Sequence, residues 1–163
     1  MSDNELKLIE IAKEIIKLNV ENIEMALTGS LMLSLRGINK RRESNDIDII
    51  CKFICEKPPG KPNMPKGYVF DCMSGEKSAV NVMRFVSADG VKVDLLTSDE
   101  KTEEIQGIYC GQVEKLLDAK YSFSQNDIGK ESKEKHELDL EYILANNSID
   151  WKPKELIIPI IYL

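Results

Sequence analysis

The sequence has little of what marks several large classes of protein. Its four cysteines, Cys51, Cys55, Cys72 and Cys110, form no dense framework and suit free thiols in a cytoplasmic protein better than disulfides. The single histidine, His136, lies far from them in sequence, which argues against a structural zinc site. No apolar run approaches the ~18 residues of a membrane-spanning helix. The opening MSDNELKL is acidic and polar, unlike a signal peptide. We therefore expect a cytoplasmic chain without membrane contact.

Positive charge is also in short supply. The chain has 22 Lys and Arg against 28 Asp and Glu, a formal net charge of −6. This balance excludes a wholly basic coat for nucleic acid but leaves room for a local basic patch. The 163 residues are enough for one globular domain with a buried core. We predict a catalytic core over residues 1–100 and a helical extension with an apolar tail over 101–163, together one compact unit.

Hydrophobic spacing predicts that the chain begins with a helix, a strand and a second helix. Apolar residues recur at helical intervals over residues 4–18, where Asn4 is a candidate N-cap. A short apolar strand is expected over 23–28. Ser30 then caps a short helix that ends near Gly37.

The rest of the pattern predicts strands followed by helices. The Asp89-Gly90 pair is a strong signal for a hairpin between two of these strands. The predicted strands are 46–54, 68–72, 79–86 and 91–96, and the predicted helices are 113–120 and 130–145. This order predicts an α/β (α+β) fold, with a mixed sheet of about four or five strands and helices on one face.

Two segments carry prolines instead of periodicity. Residues 56–67 hold four of the six prolines and predict a mobile surface loop or a lid over a substrate. The apolar tail over 151–163 predicts an extended segment docked on the body, pinned by Trp151 and Tyr162, or a contact with a second copy or a partner chain.

Three aspartates interrupt the predicted strand cores. Asp46 and Asp48 lie in N-D-I-D-I-I, and Asp94 lies in V-K-V-D-L-L. Residues i and i+2 of a strand point to the same side, so Asp46 and Asp48 project together. If the two strands are neighbours, three carboxylates converge and suit Mg²⁺ or Mn²⁺. The alternative is a set of solvated acids, with Lys92 paired to Asp94.

The segment L-T-G-S-L lies one helix upstream of these acids. Gly29 allows the backbone to approach a ligand closely, and Ser30 adds a hydroxyl. The following helix offers free N–H groups to a phosphate. A Gly-Ser turn and a D-x-D pair are each weak signals, but this order of turn, helix and acidic strand is much more specific.

These residues resemble the nucleotidyltransferases of the DNA polymerase beta superfamily. In that superfamily a Gly-Ser follows the first strand, a short helix intervenes, a D-x-D strand follows, and a third acid lies on a later strand. The resemblance covers about residues 23–96. It implies that Asp46, Asp48 and Asp94 bind Mg²⁺ or Mn²⁺ and carry catalysis, while Gly29 and Ser30 hold the phosphates of a nucleoside triphosphate.

A second resemblance is to the AbiEii-type toxin branch of these enzymes. Arg41 and Ser44 in R-x-x-S-x-D-I-D match it, and more loosely so do Lys120 and Asp139. The resemblance implies that Lys120 balances triphosphate charge and that Arg41 or Arg42 contacts the triphosphate or an RNA acceptor. This chain departs from the branch because its turn reads T-G-S and its C-terminal region is short. A partner chain or a small acceptor would suit so short an enzyme.

Plainer interpretations remain open for the basic and helical residues. Lys40, Arg41 and Arg42 suit a solvated loop equally. Asp139 has Lys135 at helix-pair spacing, so Lys120 and Asp139 also fit ordinary surface charges. The remaining site candidate, His136, fits a surface helix position beside Glu137.

Three functions follow from these observations. The first is metal-dependent transfer of a nucleoside monophosphate to an RNA end, a protein side chain or a small hydroxylated molecule. The second is a non-catalytic member of the same fold that binds nucleotide or a partner. The third is a toxin or antitoxin subunit that pairs through the apolar tail.

Overall fold

The structure is a computed structural model that describes residues 1–52, 62–74, 82–125 and 130–154. Over these residues a helix, a strand and a second helix come first, a run of strands follows, and two helices come last. The helices are α1 (Asp3–Asn19), α2 (Gly29–Leu35), α3 (Val113–Gln125) and α4 (Lys130–Asn146). The strands are β1 (Met25–Thr28), β2 (Ile47–Cys51), β3 (Tyr68–Ser74), β4 (Val82–Ser87), β5 (Lys92–Thr97), β6 (Glu103–Ile105) and β7 (Ile108–Cys110).

One mixed sheet contains all of these strands, in the order β3-β4-β5-β2-β1-β7-β6. The pairs β2–β5 and β1–β7 are parallel, and the other neighbours are antiparallel. The predicted α+β class with a mixed sheet is therefore confirmed.

The predicted strand count was too small, because seven strands lie in the described residues alone. The two that sequence reasoning missed, β6 and β7, have three residues each. Such strands are too short for alternation to show. They meet at the turn Gln106-Gly107, where both residues have positive φ. The sheet thus continues past residue 100, and the domain boundary drawn there stays a prediction.

The central strands have a fully buried side and a polar side. In the β2–β5 pair the apolar residues are buried on one side, and Asp48 and Asp94 alternate with them on the other. The buried residues are Ile47, Ile49, Val93 and Leu95, each 0% exposed. They join one core cluster with the apolar stripe of α1 and with α2. Burial of this stripe holds the sheet rigid behind its polar side.

The N-terminal caps differ from the predictions. Ser2, not Asn4, caps α1, and its Oγ accepts a hydrogen bond from the N–H of Glu5 at 3.1 Å. Thr28 occupies the N-cap of α2 without a side-chain cap bond, so α2 begins at Gly29. Ser30 therefore lies inside the first turn of α2, where its hydroxyl is free to bond elsewhere.

The C-terminal helices α3 and α4 pack against each other. Trp151 follows them and lies against α3, donating its Nε1–H to Asp118 at 2.9 Å and stacking edge-on with Tyr121. Trp151 is thus anchored as predicted. The predictions for the tail beyond Lys154, including Tyr162, and for much of the proline-rich segment lie outside the described residues.

Among the described helices, none is both long enough and apolar enough to cross a membrane.

Candidate active site

A cleft of about 640 Å³ opens on the polar side of the sheet. The start of α2, the loop over residues 39–45, strands β2, β4 and β5, and helices α3 and α4 all contribute to its wall. All seven site residues predicted from the sequence line it: Gly29, Ser30, Arg41, Asp46, Asp48, Asp94 and Lys120. The fold thus brings together residues that are spread over 92 positions of the chain.

The aspartates converge because β2 and β5 are neighbours. Asp48 and Asp94 are aligned partners in this parallel pair, and Asp46 lies exposed just before β2. Burial, together with repulsion from Asp94 and Asp46, raises the pKa of Asp48 to about 7. The negative charges on this side of the sheet therefore oppose one another, and the positive charges of Lys120 and Arg84 offset only part of this effect on Asp48.

Gly29 permits one of these carboxylates to lie against the start of α2. Its φ is +71°, which favours glycine. A Cβ at this position would lie 2.3 Å from Oδ2 of Asp48, much closer than any real contact. The absence of a side chain is thus what lets Asp48 occupy the floor of the cleft.

Asp94 has a partner that sequence reasoning missed. The Nε and NH2 groups of Arg84 on β4 donate to Oδ1 and Oδ2 of Asp94 at 2.7 and 2.9 Å. The suggested pair with Lys92 is replaced by this bidentate one. The hairpin signal at Asp89-Gly90 could have predicted this pair, because the β4–β5 register places Arg84 directly opposite Asp94.

The three aspartates differ in how well they suit the divalent cation that the family resemblance implies. Asp46 and Asp48 line the cleft, and among the described residues neither has a side-chain hydrogen bond or ion pair, so their oxygens suit a hard cation. Asp94 has both oxygens engaged by Arg84. In the described ranges no group of three His, Cys, Asp or Glu side chains is arranged to hold a metal ion. Asp46 and Asp48 thus fit a cation as they stand, and Asp94 fits one only after Arg84 moves.

A polar network fixes Ser30 and the neighbouring loop. The Oγ atoms of Ser30 and Ser44 are 2.8 Å apart. Lys40 donates to Ser44 Oγ at 2.5 Å and forms an ion pair with the buried carboxylate of Glu5 on α1. Glu5 also accepts from Ser34 Oγ on α2 at 2.7 Å. Lys40 is therefore paired, contrary to the solvated-loop interpretation.

A basic cluster surrounds Asp139 on the opposite wall. Arg41 and Arg42 donate to its carboxylate at 2.9 and 2.8 Å, and Lys120 Nζ lies 3.6 Å from it. Burial favours the neutral form of Asp139, but hydrogen bonds from Arg42 and the charge of Lys120 outweigh it and lower the pKa. Three cationic side chains thus share one carboxylate, so basic groups outnumber acidic ones in this cluster. Lys135 is not among the ion-pair partners of Asp139 in the described residues, so the helix-pair interpretation was wrong.

The single histidine is not a surface residue. His136 is half-buried in the cleft wall, and its ring lies 5.1 Å from that of Phe123. Burial and the nearby charges of Lys120 and Lys135 lower the pKa of His136 to about 4, so it is neutral at physiological pH. Its helical neighbours supplied no sequence signal for this position.

No known family profile and no curated protein matches the chain. Solved structures do. An antigenic nucleotidyltransferase-like protein from Paracoccidioides brasiliensis matches with a TM-score of 0.51 at 17% identity, over 89% of this chain and 78% of that one. JHP933 from Helicobacter pylori matches with a TM-score of 0.41 at 19% identity, over 80% of this chain. The match spans only 60% of the JHP933 chain.

At 17% identity, the likeness to the Paracoccidioides brasiliensis protein shows the fold alone and does not single out the AbiEii-type branch. The chain therefore has a nucleotidyltransferase-like fold.

Proposed function

We propose that this chain is a metal-dependent nucleotidyltransferase that moves a nucleoside monophosphate from a nucleoside triphosphate to a hydroxyl acceptor. One observation carries the proposal: the cleft has an acidic wall and a basic wall that face each other. Asp46, Asp48 and Asp94 form the acidic wall on the sheet. Arg41, Arg42 and Lys120 form the basic wall around Asp139.

The two walls match the two charges of a metal–triphosphate complex. Excess carboxylate on the sheet attracts a cation, and excess positive charge on the helices and loop attracts phosphates. The walls are close enough that the charge of Lys120 lowers the pKa of Asp48 against the effect of burial. A single ligand that carries both charges thus satisfies both walls at once.

The chemistry of such a site is mostly positioning. A bound Mg²⁺ or Mn²⁺ would lower the pKa of the acceptor hydroxyl and offset charge on the phosphates. Asp46 and Asp48 would hold it, and Gly29 and Ser30 would contact the β,γ-phosphates. A bond forms between the acceptor oxygen and the α-phosphorus. At the same time the bond breaks between the α-phosphorus and the oxygen that bridges it to the β-phosphate. Pyrophosphate leaves, and the acceptor proton passes to Asp94 or to solvent.

A second candidate function is nucleotide binding without transfer. It is favoured by one observation, the bidentate pair in which Arg84 occupies both oxygens of Asp94. A protein that kept this pair permanently would lack the third metal ligand. The two candidates separate in a transfer assay.

The assay incubates the full chain with each α-³²P nucleoside triphosphate, Mg²⁺ or Mn²⁺, and total RNA or cell protein. We expect label in one acceptor fraction. Asp48→Asn should lower transfer at least about a hundredfold, because it removes a charged ligand and no core volume. The matched control is Asp89→Asn, which removes an exposed carboxylate and keeps an Asn-Gly turn.

Equal transfer by Asp48→Asn and the parent protein would overturn the proposed mechanism. No transfer by any protein, combined with metal-dependent nucleotide binding, would favour the second candidate. Thermal unfolding of each variant shows whether a loss of transfer reflects a loss of fold.

A further inference from the structure

We propose that Arg84 exchanges partners, binding Asp94 when the cleft holds no cation and a phosphate of the substrate when it does. The inference rests on the proposed function and adds a residue that the family resemblance does not supply. It follows from three features of Arg84: its pair with Asp94, its surroundings and its exposure.

The pair itself blocks a ligand. Arg84 donates from Nε and Nη2 to the two carboxylate oxygens of Asp94, so both oxygens already have a cationic partner within the cleft. A guanidinium stays charged at any physiological pH and is not displaced by deprotonation. A divalent cation therefore competes directly with Arg84 for Asp94.

A bound cation would make the net charge around Arg84 less negative. Without one, Asp94 and the nearby charges of Asp46 and Asp48 all favour a cationic side chain at this place. A divalent ion among the carboxylates would neutralise them and repel the guanidinium. Without a bound metal ion, the guanidinium of Arg84 thus supplies the positive charge at the acidic wall.

The exposure of Arg84 provides its second position. Its side chain is 36% exposed, against 15% for Asp94, and it lines the same cleft as Ser30 and Lys120. Once released, its forked donors match a phosphate group as well as they match a carboxylate. A nucleotide brings a metal ion and phosphates together. The metal ion therefore displaces Arg84 from Asp94, and a phosphate becomes the new partner of Arg84.

Two binding measurements on the full chain test this exchange without any turnover. The first follows free Mn²⁺ by electron paramagnetic resonance in the absence of nucleotide. Arg84→Met should bind Mn²⁺ about tenfold more tightly than the parent, because the competing cation is gone. The second follows inorganic triphosphate by calorimetry at saturating Mg²⁺, where Arg84→Met should bind about tenfold more weakly.

Two further variants sharpen the result. Arg84→Lys keeps the charge but loses the fork, so it should show a smaller gain for Mn²⁺ and retain part of the triphosphate affinity. Lys92→Met removes an exposed positive charge from the same strand as Asp94 and should change both affinities less than about twofold.

The outcomes separate this inference from the proposed function. If Mn²⁺ binds, is lost in Asp48→Asn and is unchanged in both Arg84 variants, Arg84 does not compete for the site and the exchange is wrong. If Arg84→Met tightens Mn²⁺ but leaves triphosphate affinity unchanged, Arg84 does not transfer to phosphate and the exchange is again wrong. If Mn²⁺ binds neither the parent nor any variant, the metal site itself fails and the proposed function fails with it.

Discussion

At the scale of single residues, the cleft depends on the absence of a side chain at Gly29 and on the carboxylate of Asp48. Gly29 leaves room for the carboxylate of Asp48, whose Oδ2 lies where a Cβ would be. Asp48 in turn occupies a place where burial and two other carboxylates oppose its charge. These effects raise the pKa of Asp48, so a cation bound at the proposed site would favour its charged form.

Gly29→Ala tests this contact. The variant should lose stability for two reasons: its φ of +71° strains an alanine, and the new methyl group meets Asp48. Gly37→Ala is the matched control, because Gly37 has a φ of +73° but no atom within 4 Å of its Cβ position. Urea unfolding should show a loss of about 1 kcal/mol for Gly37→Ala and about 1–3 kcal/mol more for Gly29→Ala. Equal losses would show that Asp48 does not lie against Gly29.

At the scale of elements, α1 does more than cover the sheet. It carries Glu5, which reaches Ser34 on α2 and pairs with Lys40 in the following loop. The backbone N–H of Ser44 also donates to this carboxylate at 3.3 Å. One buried side chain thus joins the first helix, the helix at the start of the cleft and the loop that carries the arginines.

Glu5 also predicts how stability changes with pH. Burial opposes its charge, but hydrogen bonds from Lys40 and Ser34 and the charge of Lys40 outweigh burial and lower the pKa of Glu5 to about 2. A lowered pKa stabilises the fold above the ordinary value of 4.5, and this contribution is lost as pH falls from about 4.5 to about 2. At full ionisation the contribution is about 3 kcal/mol.

Glu5→Gln should therefore unfold at lower urea concentration at pH 7, with the difference from the parent closing toward pH 2. Glu10→Gln, on an exposed position of the same helix, is the control and should change little. A constant difference between parent and Glu5→Gln from pH 7 to pH 2 would contradict the assigned ion pair.

At the scale of the whole molecule, Asp139 links the C-terminal helices to the N-terminal half of the chain. It lies on α4, and its partners Arg41 and Arg42 belong to the loop before β2, almost a hundred residues earlier. Lys120 adds α3 to the same cluster. The basic wall of the cleft thus exists only when the C-terminal helices are packed on the N-terminal part.

Asp139→Asn should expose the excess charge of this cluster. Because three cations then lack their shared carboxylate, the free energy of unfolding should fall by about 2 kcal/mol. Added sulfate should raise the melting temperature of the variant more than that of the parent, because an anion replaces the missing charge. Glu137→Gln, an exposed neighbour on the same helix, controls for general effects of sulfate. An identical sulfate response in Asp139→Asn and the parent would argue against an anion-binding cluster.

Much of the acidic wall was predictable because its geometry is local. Alternation along a strand decides that Asp48 lies opposite to Ile47 and Ile49, whatever else the chain does. The spacing of Gly29 and Ser30 ahead of the acids is likewise a property of one strand–helix–strand unit. Even the pair between Arg84 and Asp94 is local, since the hairpin register determines it.

The basic wall was decided by tertiary structure alone. Nothing near Asp139 in the sequence distinguishes an ordinary helical ion pair with Lys135 from a link to Arg41 and Arg42. The choice depends on where α4 packs, which follows from burial of apolar surface summed over distant elements. His136 became a neutral, half-buried side chain for the same reason. The sequence by itself thus determined on which side of its own strand each carboxylate lies, because strand periodicity is intrinsic to the backbone. Only the tertiary structure decided that β5 lies beside β2 and that the cations of the loop and of helices α3 and α4 face those carboxylates, because these contacts depend on burial summed over distant elements.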